Sequence, residues 1–399
     1  MHAVLDVPLS ACADEALRSL ARATGSDCLA SLDGRILLCE RAVLGGMAIP
    51  ARTSAGGGCR LFDAVGDTVA LNLARPADRE LLPALFATDS LDINDLEAVG
   101  RLIATHDAEA LVSRGRALGL AIASEHESAP PEAIACTELT AGRQQISPPP
   151  RLVPRVLDLT ALWAGPLAAH LLWLAGAEVV KVASRTRPDA MRVSDETFYT
   201  LLNQGKAYVS LDLTDHNDRR ALLSLVAESD IVIEAARPRA LAQLGIDAGH
   251  LVNTIPGLVW ITITGHGVQG DAANWVGFGD DCGVSAGLSA ALRAACGHTG
   301  FVGDAVADPL TGIFAARAAW EAWRSRRGGR FGLALSSVAA SCIAWSRERD
   351  ASGFEASLRA WAAAAGQPFP TVARRPIGTL PAVSREWHRS IPSAMQSPR

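Results

Sequence analysis

Residues 155–183 read RVLDLTALWAGPLAAHLLWLAGAEVVKVA, and the fold turns on this stretch. The run at 156–159 is apolar and short enough for a strand, and 178–182 is a second such run. Between them Gly165 and Pro166 break the chain ahead of an apolar helical segment. Taken whole, 159–180 is nearly apolar enough to span a bilayer. The Gly-Pro break, His170 and Glu178 fit a buried strand, turn and helix better, so no membrane span is expected. Two strands joined by a helical crossover form a parallel pair, and parallel sheets are covered on both faces.

The same alternation continues outward. Short apolar runs at 208–213, 230–233 and 258–264 read as strands, with amphipathic helical stretches at 218–228 and 240–244 between them. The expected fold class is α/β, with a Rossmann-like parallel sheet in a large domain. No G-x-G-x-x-G follows the first strand, so the dinucleotide fingerprint is missing. Pro130-Pro131 and Pro148-Pro149-Pro150 mark an extended, semi-rigid linker over 128–150. It separates a smaller α+β domain, 1–127, from the large domain, 151–399.

Composition narrows the function. A chain of 399 residues can hold two sizeable cores, and a formal charge of −5 argues against nucleic acid as a partner. Its eight cysteines are scattered with no C-x-x-C pair, which points to packing thiols and to no metal site or redox motif. The amino terminus lacks the basic flank and apolar core of a signal peptide, so a cytoplasmic location is expected.

One further stretch carries chemistry. Residues 302–312 read VGDAVADPLTG. Pro309 suits a first helical position, and Ile313, Phe314, Ala316, Trp320 and Trp323 recur behind it at helical spacing, so a helix is expected to begin at Asp308. An aspartate there is an ordinary N-cap. It is also a candidate nucleophile, because the positive end of the helix dipole favours an ionised carboxylate. On these residues alone both readings stay open.

Five blocks in order add a resemblance: 155–183; 203–213, NQGKAYVSLDL; 230–246, DIVIEAARPRALAQLGI; 263–270, ITGHGVQG; and a D-x-x-T-G signature filled by Asp308, Thr311 and Gly312. Together they resemble the family III CoA transferases, the group that includes formyl-CoA transferase, carnitine CoA-transferase and alpha-methylacyl-CoA racemase. The resemblance implies an acyl-CoA:carboxylate CoA-transferase in which Asp308 forms an aspartyl anhydride and then an aspartyl-CoA thioester. Coenzyme A enters as acyl-CoA, the acceptor is a carboxylic acid, no metal is needed, and the protein is a homodimer.

The resemblance extends to the first 150 residues in an altered order. Residues 54–76, SAGGGCRLFDAVGDTVALNLARP, look like the glycine-rich loop and first strands of the family's small domain, which ordinarily follows the large one. Residues 97–118 look like its helical part, and 368–387 like the closing segment. Gly56, Gly57 and Gly58 would then form a mobile loop over the site. Lys206 and Lys181, the chain's two lysines, fall in family motifs, and Lys206 is a candidate CoA contact. Arg185, Arg187 and Arg192 follow the second strand at its carboxyl end, where open parallel sheets bind ligands, and Arg237 follows another. Ala183-Ser184 and Ala235-Ala236 depart from the family pattern at CoA-contact positions.

Two alternatives are an acyl-CoA racemase and a non-catalytic acyl-CoA-binding subunit. Racemisation needs a second acid-base group, and Phe278 stands where the family's racemases carry a histidine. His266 and His298 are off-register and read as turn or surface histidines.

Overall fold

The computed structural model describes residues 5–127, 135–146 and 151–380. The prolines at 130–131 and 148–150 and the end of the closing segment, 381–387, lie outside the described residues.

Among the described residues, ten strands form two sheets. β1 (Cys59–Asp63), β2 (Thr68–Asn72) and β3 (Ala121–Ser124) make a small antiparallel sheet in that order. The large sheet contains β4 (Thr137–Ala141), β5 (Arg155–Asp158), β6 (Glu178–Ser184), β7 (Ala207–Leu211), β8 (Ile231–Glu234), β9 (Val259–Thr264) and β10 (Gly329–Ala334). Its order is β4-β10-β9-β8-β5-β6-β7. All neighbours are parallel except β4, which runs antiparallel along β10 at one edge. From β7 to β10 this is the doubly wound 3-2-1-4-5-6 arrangement, so the α/β, Rossmann-like fold class holds. The helix Ala164–Leu174 is the crossover from β5 to β6, and all of its residues except the last, Leu174, are buried. That all-round burial explains why 159–180 approaches membrane-span hydropathy.

Two strands of the large sheet were not legible. β10 carries two glycines in six residues, a weak strand signal. β4 lies inside the expected linker, whose described part is thus a paired edge strand rather than a free connection.

The small unit also differs from the expected 1–127. Its own core joins β2 and β3 to Leu82, Leu85, Val99, Ile103 and Leu111. The helices Ser10–Thr24 and Gly34–Leu44, which precede it, bury Leu17, Leu20, Leu37 and Cys39 in the large-domain core instead. Their apolar faces belong with Ile313, Ala316 and Trp320 of the helix Ala307–Arg324. The small sheet packs on the large unit through a cluster of Cys59, Leu61, Ala70, Val284 and Phe301.

Candidate active site

The helix carrying Asp308 spans Ala307–Arg324, so it starts one residue before Asp308, after Val306. Pro309 thus sits inside the first turn rather than at its first position, a shift within the usual fraying of helix ends. Asp308 does not cap this helix. Its Oδ2 accepts a hydrogen bond from the backbone N–H of Gly279, 3.0 Å away, and its Oδ1 makes none among the described residues. Glycine is required at 279, because a Cβ there would collide with Ala305 O and Asp308 Oδ2. The approach to Asp308 is a tight turn in which Gly303 (φ 75°) and Ala305 (φ 43°) take left-handed conformations. Ala305 is strained there, as residues near functional sites often are.

Gly312 serves packing. A Cβ there would lie 2.8 Å from Ala164 O, so the signature glycine lets this helix approach the crossover helix Ala164–Leu174 closely. Thr311 is buried, and its hydroxyl has no hydrogen-bond partner.

Around Asp308 lies a group of charges that the linear sequence does not display. Arg41, from the helix Gly34–Leu44, binds Asp304 through Nε at 2.7 Å and through Nη2, and its guanidinium stacks 4.8 Å over the Trp163 ring. Asp304 is therefore an ion-pair partner and no second candidate nucleophile. Asp280 Oδ1 accepts from Ala305 N at 3.1 Å. Burial pushes the Asp308 pKa up to about 7; the Arg41 charge opposes that shift and Asp280 reinforces it. Asp280 is also raised to about 7, by burial and then by Asp304. One guanidinium among these carboxylates leaves negative charge incompletely balanced, which favours protonation at neutral pH.

The glycine loop reaches this group. A Cβ on Gly56 would stand 3.3 Å from Arg41 Nη2, so the loop backbone abuts the guanidinium that balances Asp304 and Asp308. Gly57 has φ 73°, and its N–H closes a turn onto Ser54 O at 2.8 Å.

The basic residues expected to line a CoA path do not gather. Lys206 is fully enclosed, and its Nζ donates to Asp158 Oδ2 (2.9 Å), Pro166 O (2.9 Å) and Asn203 Oδ1 (3.1 Å). All three donors are taken, so Lys206 is a buried structural cation rather than a direct ligand contact. Burial lowers its pKa to about 8, against the pull of Asp158. Lys181 shares the same carboxylate and donates to Thr160 O. Asp158 ends β5, at the strand-order reversal where doubly wound sheets bind ligands, and there it is buried with both lysines. Arg185 pairs with Asp218 at 2.5 Å, and Arg187 and Arg192 are exposed. Arg237 lines a cleft of about 1350 Å³ between the small and large units, together with Arg116, His126 and Trp275. Asp67, Asp107, Glu109, Glu127 and Asp271 line it too, so its charge does not suit a phosphate.

His266 is not a surface histidine. Its side chain is 2% exposed, and Nε2 lies 3.3 Å from Asp281 Oδ2, beside Cys282. His298 is exposed, as read from sequence. Phe278 begins the turn that holds Asp308, with its N–H donating to Asp281 Oδ1 at 3.1 Å.

Fold, signature and a buried aspartate at a helix start define a CoA-transferase-like protein, and comparison with known sequences agrees. Residues 154–351 match the family model for CoA-transferase family III, and through this segment the chain belongs to that family. It is 29% identical over 172 residues to a probable fatty acyl-CoA transferase of Mycobacterium tuberculosis, covering 41% of this chain and 44% of the relative. It is 30% identical over 213 residues to the succinate–glutarate CoA-transferase of Agrobacterium fabrum, covering 49% and 53%. A crystal structure of a hypothetical protein from M. tuberculosis aligns over 51% of this chain and 59% of that one, with 28% identity and a TM-score of 0.45. The chain thus spans about half the length of the curated relatives it matches.

Proposed function

We propose that the protein is an acyl-CoA:carboxylate CoA-transferase that uses Asp308 as a covalent nucleophile. The observation that carries the reading is the asymmetry of this carboxylate: Oδ2 is held by Gly279 N–H while Oδ1 makes no hydrogen bond among the described residues. In the first step Oδ1 attacks the thioester carbonyl, the C–S bond breaks and CoA thiolate leaves, giving a mixed anhydride. Thiolate then attacks the Asp308 carboxyl carbon, and the C–O bond to the donor acyl group breaks. The donor acid departs and an aspartyl-CoA thioester remains. The acceptor carboxylate attacks the same carbon and displaces thiolate, which finally takes the acceptor acyl group and frees Asp308.

Two of these attacks fall on the side-chain carbon of Asp308, so the oxyanion that develops is its own Oδ2. The Gly279 N–H already points at that atom, and Arg41 adds positive charge nearby, an arrangement that stabilises charge without reorganisation. Division of the exchange into covalent steps keeps the acyl group from water.

Phe278 weakens the racemase alternative, since its ring supplies no proton-transfer group at that position. The family resemblance also supports a homodimer.

The test is intact-mass analysis of the protein after incubation with a panel of acyl-CoAs. A mass increase equal to CoA less one water, the mass of an aspartyl-CoA thioester, absent in Asp308→Ala, is the expected result, and the acyl-CoA that produces it would identify the donor. Full transfer activity in Asp308→Ala would overturn the assignment.

A further inference from the structure

We propose that His266, Asp281 and Cys282 form a binding site for a zinc-class divalent metal ion. Among the described residues this is the one place where three such side chains converge, with His Nε2, Asp Oδ2 and Cys Sγ all within 4.8 Å of one another. The separations are 3.3 Å for Nε2 to Oδ2, 3.9 Å for Sγ to Nε2 and 3.9 Å for Sγ to Oδ2. Tetrahedral zinc with bonds of about 2.0–2.3 Å needs ligand atoms roughly 3.3–3.8 Å apart, so small side-chain adjustments close the site.

The second observation is that each ligand is oriented through its other atoms. His266 Nδ1 meets Ser285 Oγ at 3.2 Å, which leaves Nε2 directed at the cluster. Asp281 Oδ1 accepts from Phe278 N (3.1 Å) and from Asn72 Nδ2 (3.2 Å), which leaves Oδ2. Outer partners of this kind are what fix metal ligands. The third is a clear space. A Cβ on residue 277 would lie 2.6 Å from Cys282 Sγ and 2.9 Å from His266 Nε2, so glycine there keeps the region between the two ligands free. The side chains of Asp281 and Cys282 are wholly buried.

Charge agrees with the geometry. One thiolate, one carboxylate and a neutral imidazole balance a dication, and the buried thiol gives up its proton when the metal binds. A water completes the four ligands. The site would tie the turn after β9, which carries His266, to the helix Gly279–Ser285, whose first turn holds Asp308. The inference does not depend on the transferase reading, and its test measures no transfer.

The 399-residue chain is stripped with chelator and reconstituted with zinc or with cobalt(II). Elemental analysis should find one equivalent of zinc per chain. The cobalt form should show an intense near-ultraviolet thiolate-to-cobalt band, and zinc should raise the melting temperature. Cys282→Ser should abolish the band. Ser285→Ala, which leaves every ligand in place, should weaken zinc by about 10- to 100-fold. Cys296→Ser should change neither readout, although Cys296 Sγ lies 3.7 Å from His298 Nε2. Folded protein, checked by circular dichroism, that takes up no zinc and shows no cobalt band would overturn the proposal. So would a band that survives Cys282→Ser and is lost in Cys296→Ser.

Discussion

At the residue scale, Asp308 is defined by its surroundings more than by its place in a motif. Burial raises its pKa from the ordinary 3.8 to about 7, and a nucleophile must be ionised. The transfer rate should therefore rise with pH through an apparent pKa near 7 and level off above it, where an ordinary aspartate would give a flat profile; a rate–pH series measures this. The sign for stability is opposite. The folded-state pKa lies above the unfolded one, so ionisation disfavours the fold, and this group's contribution is full below about 4 and lost as pH rises to about 7. Asp308→Asn removes that loss. It should abolish transfer yet melt no lower than the parent at about pH 8, as differential scanning fluorimetry would show. Phe278 gives a second expectation. With no proton-transfer side chain there, a 2-methylacyl-CoA should gain no deuterium at a catalytic rate in deuterated water without an acceptor acid. Fast, Asp308-dependent exchange followed by NMR would contradict this.

At the element scale, the loop and the strand ends supply what the helices cannot. Asp158, at the end of β5, is held well below the ordinary carboxylate range despite burial, because Lys181 and Lys206 lie against it. Lys206→Met breaks that pair and should destabilise the fold by about 3–5 kcal/mol in urea titration, with the KM for acyl-CoA little changed. A raised KM with parent stability would restore a direct CoA contact. The glycine loop should behave in the opposite way. Nothing lies within 4 Å of a Cβ on Gly57, so Gly57→Val meets no wall, but φ 73° makes the β-branched residue pay roughly 1–2 kcal/mol in backbone strain. The resulting shift of Gly56 against Arg41 should lower the transfer rate more than the stability. Equal transfer in the variant would separate the loop from the site.

At the scale of the whole molecule, a buried carboxylate is among the contacts that tie the two units together. Glu125, just after β3, is buried and binds Arg293 and Thr299 of the large unit at 2.5 Å and 2.8 Å. All eight described tryptophans lie outside residues 59–124, so their fluorescence reports chiefly the large unit, and hydrogen exchange on β2 and β3 reports the small one. In the parent protein the two should unfold together. Glu125→Ala leaves Arg293 and Thr299 without this partner and should open the small sheet about 1–3 kcal/mol earlier than the tryptophan transition. Coincident transitions in the variant would mean that the apolar cluster around Cys59 and Phe301 suffices to couple the units.

What the sequence determined by itself was everything carried by periodicity and short-range order. The strands β5 to β9 and the crossover between β5 and β6 follow from alternating apolar runs, and the doubly wound class follows from their succession. Asp308 was legible because Pro309 and the helical spacing behind it mark a helix start. The tertiary structure decided what depends on long-range contact. Arg41 meets Asp304 across 263 residues, and Glu40 meets Arg375 across 335, pairings that no local pattern announces. It joined the first helices to the large core, since an apolar face does not name the surface that will cover it. It made Lys206 a buried counter-ion instead of a ligand contact and turned His266 inward to Asp281, because burial is a property of packing. A side chain's charge state follows the dielectric and the neighbours around it, and those exist only once the chain is folded.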